Sequence, residues 1–169
     1  MVPYDELSLF HENAEEFGLP YDGPPHVERV FVDVEPDADG PRRLSALVWG
    51  DASPELVLLH GGAQNAHTWD TVAMALARPL VAIDLPGFGH SDGRPELIAP
   101  DAMGTFLARL IEEWGLGAPH VVGPDVGTAA GLFLAANAPD RVTSLTIGGG
   151  AVRDPIDADR KSTRLNSVT

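Results

Sequence analysis

The sequence predicts an α/β protein in which a mostly parallel sheet has helices on both faces. Residues 55–61 and 79–85 are continuous apolar runs, which are typical of strands buried on both sides of a sheet. From residue 61 onwards such strands alternate with helical patterns, and this alternation indicates parallel strands joined by crossover helices. Two strands of alternating polarity precede them. The predicted order of elements is therefore β β β α β α β α β.

The first part of the chain is predicted to form a loose segment followed by two paired strands. Residues 1–25 are expected to be irregular, with room for a short acidic helix over 5–17. Apolar and polar residues then alternate over 27–34, which is the period of a strand. A turn at 36–41 leads to a partner strand over 44–50, so the sheet is expected to start as an antiparallel hairpin.

Three helices and two further strands complete the predicted fold. In the second helix the apolar residues between 106 and 111 share one face, and Asp101 stands where an N-cap belongs. Glycines at 115 and 117 are expected to end that helix. The predicted helices cover residues 68–77, 101–114 and 126–137, and the predicted strands cover residues 120–123 and 142–148.

Composition limits the kinds of protein that this chain can be. The 169 residues suit one domain, and the absence of cysteine excludes disulfides and thiolate metal sites. A formal charge of −14 argues against nucleic acid and anionic membranes as partners, because phosphates are bound by Lys and Arg. The acidic N-terminus does not resemble a signal peptide, and no apolar run could span a membrane. We therefore expect a cytoplasmic protein whose partner is a small molecule.

The last ten residues differ from the rest of the chain. Residues 160–169 contain no acidic residue, include the only lysine, Lys161, and show no apolar periodicity. They are expected to be either non-native, as in the read-through of a sequencing adapter, or a natural disordered terminus. The predicted organisation is an N-terminal segment over 1–25, an α/β domain over 26–159, and this tail.

Two segments compete as the site of a nucleophile. GPDVG (123–127) lies between a predicted strand and a predicted helix, with small residues on both sides of Asp125. This is the pattern of a nucleophile elbow, a strained turn that faces the positive end of a helix dipole. GHSDG (89–93) matches the Gly-x-Ser-x-Gly string, but its strand ends near Leu85 and no helix follows. Asp125 is therefore preferred to Ser91, which is expected to hydrogen-bond to the backbone of its own loop.

The chain resembles the α/β-hydrolase fold family in five segments that occur in the family's order. They are LVLLHGG (56–62), AHTWD (66–70), VAIDLPGFGHSD (81–92), VVGPDVG (121–127) and PDRVTSLTI (139–147). The resemblance covers residues 27 to about 150 and implies a hydrolase that needs no cofactor and no metal. Aspartate at the elbow is similar to the haloalkane and haloacetate dehalogenases and the epoxide hydrolases.

The resemblance also implies roles for individual residues. Asp125 would be a nucleophile that forms an ester with the substrate, and the backbone N–H groups of Gly62 and Val126 would form the oxyanion hole. His60 would be a structural residue that hydrogen-bonds near this loop. The chain departs from these subgroups at Pro124 and Val126, where they usually have His and often a large residue such as Trp. The loop after His60 is more like that of esterases and carbon–carbon bond hydrolases.

The remaining catalytic groups have no clear place in the sequence. All six histidines precede Asp125, whereas the family's catalytic histidine follows its nucleophile. Asp154 is a weak candidate for the acid, because some members place an acid just after the sixth strand. We therefore expect an α/β-hydrolase fold truncated after about the sixth strand, forming only part of the domain and inactive by itself.

Three functions are consistent with these patterns. The preferred one is a parent enzyme that hydrolyses an epoxide or a carbon–halogen bond through an aspartyl ester. The second is hydrolysis of an ester or carbon–carbon bond through a different nucleophile. Loss of all turnover on replacing Ser91 by Ala would support it. The third is a non-catalytic binding module in which Asp125 only caps a helix. The substrate and the oligomeric state stay open at the level of sequence.

Overall fold

The computed structural model describes residues 5–37 and 40–150, which form a six-stranded sheet with helices on both faces. The strands are β1 (Val27–Asp37), β2 (Gly40–Trp49), β3 (Leu56–Leu59), β4 (Leu80–Asp84), β5 (His120–Pro124) and β6 (Ser144–Gly148). The helices are α1 (Phe10–Phe17), α2 (Asp70–Leu76), α3 (Pro100–Glu113) and α4 (Val126–Asn137), with short 3₁₀ turns at Ala66–Trp69, Pro95–Leu97 and Pro139–Arg141. The predicted α/β class and order of elements are confirmed.

The sheet is antiparallel at one end and parallel over the rest. Its strand order is β1-β2-β4-β3-β5-β6. β2 pairs with both β1 and β4 in antiparallel fashion, whereas β3 pairs in parallel with β4 and β5, and β5 pairs in parallel with β6. Because parallel strands bring their carboxyl ends to one edge, the segments that follow β3, β4 and β5 lie at the same edge of the sheet.

Alternate residues of β3 and β4 enter two separate cores. One core contains Val57, Leu59, Val81 and Ile83 together with apolar side chains of α3 and α4. The other contains Leu56, Leu58, Leu80 and Ala82 together with Phe10 of α1 and Ala73 of α2. Both sides of these strands are therefore buried, which explains why their sequences are continuously apolar. Full burial of one such Leu or Ile contributes about 1.5–3 kcal/mol.

The N-terminal segment is part of this packing. Helix α1 places Phe10, which is 2% exposed, against Trp49 with their rings edge to face at a centroid distance of 5.2 Å. Helix α1 ends at Gly18, whose φ of 63° is readily adopted by glycine. The short helix that the sequence allowed over 5–17 is thus present at Phe10–Phe17, and it packs in the core on one face of the sheet.

The start of α3 differs from the prediction. Helix α3 begins at Pro100, with Ala99 at the N-cap position, so the predicted N-cap role of Asp101 is wrong. Proline is favoured in the first helical turn because its missing N–H has no acceptor there. Asp101 lies in that first turn, where its negative charge is stabilised by the helix dipole.

A cluster of charged side chains joins the N-terminal segment to the carboxyl edge of the sheet. Arg29 on β1 donates to both carboxylate oxygens of Glu6, at 2.5 and 2.8 Å, and to Oδ2 of Asp84 at 2.8 Å. Asp84 is fully buried, and its Oδ1 accepts the N–H of Ala66 at 2.7 Å. The cluster therefore fixes the segment that follows β3 against the end of β4.

His67 extends the cluster between two carboxylates. Its Nδ1 lies 2.8 Å from Oδ2 of Asp70, and its Nε2 lies 3.1 Å from Oε2 of Glu6. The hydrogen bond to Asp70 raises the pKa of His67 above its usual value, and Glu6 raises it further. The hydrogen bond from Arg29 lowers the pKa of Glu6 to about 2, against the opposing effect of burial. Glu6 is thus held ionised well into the acid range.

Protonation of Glu6 is expected to weaken the fold at low pH. The pKa of this carboxyl is about 2 in the folded protein and 4.5 without partners, so its stabilisation is complete above pH 4.5 and is lost as the pH falls towards 2. The loss should be roughly 1–2 kcal/mol, less than the full pKa difference implies, because Glu6 is partly screened by solvent. Glu6→Gln should flatten the dependence of unfolding free energy on pH in this window, measured by urea titrations at several pH values.

The matched control is Glu12→Gln, which makes the same chemical change at an exposed glutamate of α1. It should keep the pH dependence of the unmodified protein. If unfolding free energy depends on pH equally in Glu6→Gln and in the unmodified protein, the contact of Glu6 with Arg29 does not stabilise the fold.

Candidate active site

The turn between β5 and α4 holds Asp125 in a strained backbone conformation. Its φ of 49° and ψ of −115° lie outside the regions that residues with a Cβ normally occupy. Backbone hydrogen bonds fix the turn, from the Asp125 N–H to the Gly148 oxygen and from the Thr128 N–H to the Asp125 oxygen, both at 3.0 Å. Such strain costs about 1–3 kcal/mol and persists only where the surroundings enforce it. The strand–turn–helix geometry is the one predicted for this segment.

Small residues around the turn allow α4 to approach the sheet. A Cβ on Gly123 would lie 2.4 Å from the Gly127 oxygen, and a Cβ on Gly127 would lie 3.1 Å from Cβ of Leu59. The buried hydroxyl of Thr128 lies 2.8 Å from the Gly123 oxygen and 3.0 Å from the Gly148 oxygen. Thr128 thus links α4 to the ends of β5 and β6, a role that its small size alone did not predict.

The carboxylate of Asp125 does not cap the helix that follows it. Asp125 occupies the N-cap position of α4, but its side chain makes no capping hydrogen bond. Its Oδ2 instead accepts the N–H of Gly62 at 2.7 Å. The side chain is exposed at the carboxyl edge of the sheet. Asp125 therefore occupies the N-cap position without the side-chain hydrogen bond on which the helix-cap alternative depends.

The loop after β3 presents the N–H of Gly62 to this carboxylate. The imidazole of His60 is fully buried, with its Nδ1 2.7 Å from the Gly61 oxygen and its Nε2 accepting the N–H of Leu85 at 2.9 Å. Because Nε2 accepts, Nδ1 must carry the proton and donate it to the Gly61 oxygen. Burial lowers the pKa of His60, which favours this neutral form. His60 is therefore a structural residue of the loop, as expected.

The predicted oxyanion donors lie at the same edge as Asp125. A Cβ on Gly62 would lie 3.3 Å from Oδ2 of Asp125 and 3.5 Å from Cγ2 of Val126, so the three residues are close neighbours. Val126 is the first residue of α4, and an N–H at that position has no acceptor within its own helix. The structure thus brings Gly62, Val126 and Asp125 together, while their catalytic roles stay predictions.

Ser91 has a structural role that differs from the predicted one. Its hydroxyl donates to the Asp84 oxygen at 2.6 Å and accepts the N–H of Ser45 at 2.8 Å. The partners of the hydroxyl are therefore the backbones of β4 and β2, and the predicted hydrogen bond to the backbone of its own loop is wrong. Both hydrogen bonds hold the loop after β4 against β2, so the hydroxyl proton of Ser91 is already engaged.

The groups that would complete a catalytic site are not assigned by the described residues. His60 and His67 each use both ring nitrogens in the contacts given above. Asp154, the weak candidate for the acid, and the tail over 160–169 lie outside the described residues. Within residues 5–37 and 40–150, no group of three or more His, Asp and Glu is arranged to hold a metal ion. No helix in the same part of the chain is long and apolar enough to cross a membrane.

Comparison with known proteins identifies relatives over this region. A family model described as alpha/beta hydrolase fold matches residues 54–164, which is more than half of the chain. An esterase from Mycobacterium tuberculosis is 43% identical over 145 residues, covering 85% of this chain and 45% of that protein. A crystal structure of that esterase matches with a TM-score of 0.68 at 40% identity, over 87% of this chain and 49% of the other.

Two further relatives are a dehalogenase and an epoxide hydrolase. A fluoroacetate dehalogenase from a Burkholderia species is 37% identical over 129 residues, covering 71% of this chain and 40% of that protein. The structure of an epoxide hydrolase matches with a TM-score of 0.62 at 26% identity, over 74% of this chain and 44% of the other. The chain thus spans less than half the length of these proteins.

The strain at Asp125 predicts an unusual order of stability among its variants. Asp125→Gly and Asp125→Ala both remove the carboxylate, but only glycine tolerates a φ of 49° without a steric cost. The glycine variant should therefore be more stable than the alanine variant by about 1–2 kcal/mol, measured by urea unfolding.

The same pair of substitutions at Asp101 serves as the control. Asp101 lies in the first turn of α3, where alanine should be preferred to glycine. Equal stabilities of the two variants at position 125 would contradict a strained conformation there.

Proposed function

The chain belongs to the α/β-hydrolase fold family, and on this premise we propose that Asp125 is the nucleophile of a hydrolase that opens an epoxide or cleaves a carbon–halogen bond. The observation that supports this most is the orientation of the Asp125 carboxylate. It stands on a strained turn, is exposed, and is held at one oxygen by the N–H of Gly62 instead of capping α4. A residue kept in this conformation has a cost in stability that an ordinary surface aspartate avoids.

In the first step, Oδ1 of Asp125 attacks an sp³ carbon of the substrate. Oδ2 is held by Gly62, so Oδ1 is the oxygen with the free lone pairs. A new carbon–oxygen bond forms as the halide departs with the bonding electron pair, or as the epoxide carbon–oxygen bond opens to an alkoxide that then takes up a proton. The product of this step is an ester between the substrate carbon and the Asp125 carboxyl group.

In the second step, water hydrolyses this ester at the carbonyl carbon of Asp125. A base removes a proton from the water, and the negative charge develops on Oδ2, which is the oxygen that the Gly62 N–H already contacts. The N–H of Val126 would be the second donor to this oxyanion. Collapse of the intermediate releases the alcohol and regenerates the carboxylate. The described residues assign no group to this base.

Two relatives support carbon–halogen or epoxide chemistry over a purely structural role. One is the fluoroacetate dehalogenase and the other is the epoxide hydrolase, both of which match residues of this same region. The substrate would be a small molecule that reaches the exposed edge of the sheet beside Gly62 and Asp125. Pro124 and Val126 beside the nucleophile make the site different from those of typical members, so the leaving group is not fixed by similarity.

Ester hydrolysis is the second candidate, and the specific observation in its favour is the 43% identity to an esterase. The Gly61-Gly62 loop suits it equally, because backbone donors stabilise any oxyanion that forms beside them. Ser91 is a poor nucleophile for this reaction, since its hydroxyl donates to the Asp84 oxygen and accepts from Ser45. Under this alternative the water oxygen would enter the acid product without passing through the enzyme.

A single turnover in heavy-oxygen water separates the two candidates. With the full-length protein and an excess of enzyme over a haloacid or epoxide, one heavy oxygen should appear in the Asp125 carboxylate, detected by mass spectrometry of the peptide. The alcohol released in that turnover should be unlabelled. Asp125→Ala should lower the rate by several orders of magnitude, whereas Ser91→Ala should keep most of it. Label found only in the product would exclude covalent catalysis by Asp125.

A further inference from the structure

The loop after β3 contains a side chain that none of the proposed roles uses, namely Gln64. Gln64 is exposed, yet its side chain folds back on its own loop, where Oε1 accepts the N–H of Gly61 at 2.8 Å. The acceptor must be the amide oxygen, because the partner is an N–H donor. An exposed glutamine gains little from packing, so this contact is the main interaction that orders the Gln64 side chain.

Gln64 holds Gly61 from both sides. Besides the contact of its Oε1 with the Gly61 N–H, its own backbone N–H lies 3.4 Å from the Gly61 oxygen. The intervening Ala63 has a φ of 56°, a conformation that alanine rarely adopts. A loop with two consecutive glycines and one strained alanine has many alternative conformations, so contacts that select one of them are needed.

Gly61 separates two peptide groups that are fixed by different residues. The peptide that ends in the Gly62 N–H has its oxygen bound by His60 Nδ1 at 2.7 Å. The preceding peptide, which ends in the Gly61 N–H, is bound by Gln64 at 2.8 Å. Because glycine rotates freely, His60 alone fixes only one of the two planes. His60 holds only the oxygen of the peptide that carries the Gly62 N–H, so fixing the preceding peptide through Gln64 further limits rotation about Gly61 and hence the direction of that N–H.

The positions of Gln64 and Asp125 show how close this contact is to the reacting group. A Cβ placed on Gly61 would lie 2.8 Å from Oε1 of Gln64 and 3.1 Å from Oδ2 of Asp125. The two side chains thus flank the same glycine, and a side chain at position 61 would displace one of them.

We propose that Gln64 is a positioning residue that holds the Gly61-Gly62 backbone so that the Gly62 N–H is directed at Oδ2 of Asp125. Its consequence for catalysis rests on the proposed function, in which this N–H stabilises the oxyanion of the aspartyl ester. The geometric part of the proposal does not depend on that function. The acceptor oxygen of Gln64 is the atom that matters.

The test compares two replacements of similar size. Gln64→Met removes the acceptor, whereas Gln64→Glu keeps an oxygen at the same place. In proton–nitrogen NMR spectra of this chain, the Gly62 amide is expected at a downfield proton shift, as a short hydrogen bond to a carboxylate requires. Its assignment is checked with Asp125→Ala, which should move the same signal upfield.

Gln64→Met should move the Gly62 signal upfield and accelerate its hydrogen exchange roughly tenfold, as expected for the loss of one hydrogen bond. Gln64→Glu should keep both values close to those of the unmodified protein. Asn65→Ala is the control for general loosening of the loop, since its side chain accepts the N–H of His67, and not that of Gly61, at 2.9 Å. It should leave the Gly62 signal in place.

An unchanged Gly62 signal in Gln64→Met would overturn the proposal, and so would a Gln64→Glu variant that behaves like Gln64→Met. In the full-length protein, Gln64→Met should slow hydrolysis of the aspartyl ester more than its formation, so the covalent ester accumulates and uptake of heavy oxygen by Asp125 is delayed. Loss of one oxyanion donor typically costs about 10²–10³ in kcat, and a misdirected donor should cost roughly 10–100-fold.

The NMR comparison tests the positioning role of Gln64, and the heavy-oxygen experiment tests the proposed function, so either proposal can be wrong without the other. If Asp125 takes up no label while Gln64→Met still moves the Gly62 signal, the proposed function is wrong and the positioning role stands. If Asp125 takes up label while Gly62 is insensitive to residue 64, the positioning role is wrong and the proposed function stands.

Discussion

The hydrogen bond from the Gly62 N–H to Oδ2 of Asp125 is the contact on which the arrangement of this edge depends. It joins the loop after β3 to the turn after β5, two segments that are 63 residues apart in sequence. On one side it is favoured by glycines, because a Cβ at position 61 or 62 would lie 3.1 or 3.3 Å from the carboxylate, closer than ordinary van der Waals contact. On the other side it requires the strained backbone of Asp125, which turns the side chain away from the N-terminus of α4. Parallel pairing of β3 with β5 brings the two segments together.

The charged cluster of Glu6, Arg29, His67 and Asp84 supports the same edge by a different physical means. Arg29 and Asp84 are largely removed from water, and the guanidinium of Arg29 is tolerated there because the carboxylates of Glu6 and Asp84 lie beside it. Asp84 extends this support to the backbone, since its Oδ1 accepts the N–H of Ala66. The loop after β3 is thus held at its start by His60 and at its end by Asp84. Between these two points Gly61, Gly62 and Ala63 have little intrinsic rigidity, which is where Gln64 acts.

The parts of this structure that follow from local sequence were predictable, and the parts that follow from tertiary contacts were not. Strands β3 and β4 and the glycine-flanked turn at Asp125 each have a pattern within a few neighbouring residues. The N-cap assigned to Asp101 was wrong because the helix already begins at Pro100. Aspartate is favoured both at the N-cap and in the first turn, and proline is favoured in the first turn, so residue preferences alone do not fix where the helix begins. The partners of Ser91 could not be found either, because the β2 backbone that it contacts lies 46 residues earlier. The contact of Arg29 with Asp84 spans 55 residues and has no trace in local periodicity.

The similarity to an esterase, a dehalogenase and an epoxide hydrolase at once has a physical explanation in this site. The proposed oxyanion donors, Gly62 and Val126, are backbone N–H groups, so their chemistry does not depend on the side chain that reacts beside them. Such donors can stabilise an oxyanion formed on a substrate ester or an oxyanion formed on an ester of the enzyme's own aspartate. The choice between these reactions then rests on the residue at the elbow, because a carboxylate attacks an sp³ carbon to give an ester that water can cleave. Under the proposed function, Asp125 is thus the residue that would direct this shared scaffold towards an ester of the enzyme's own carboxylate.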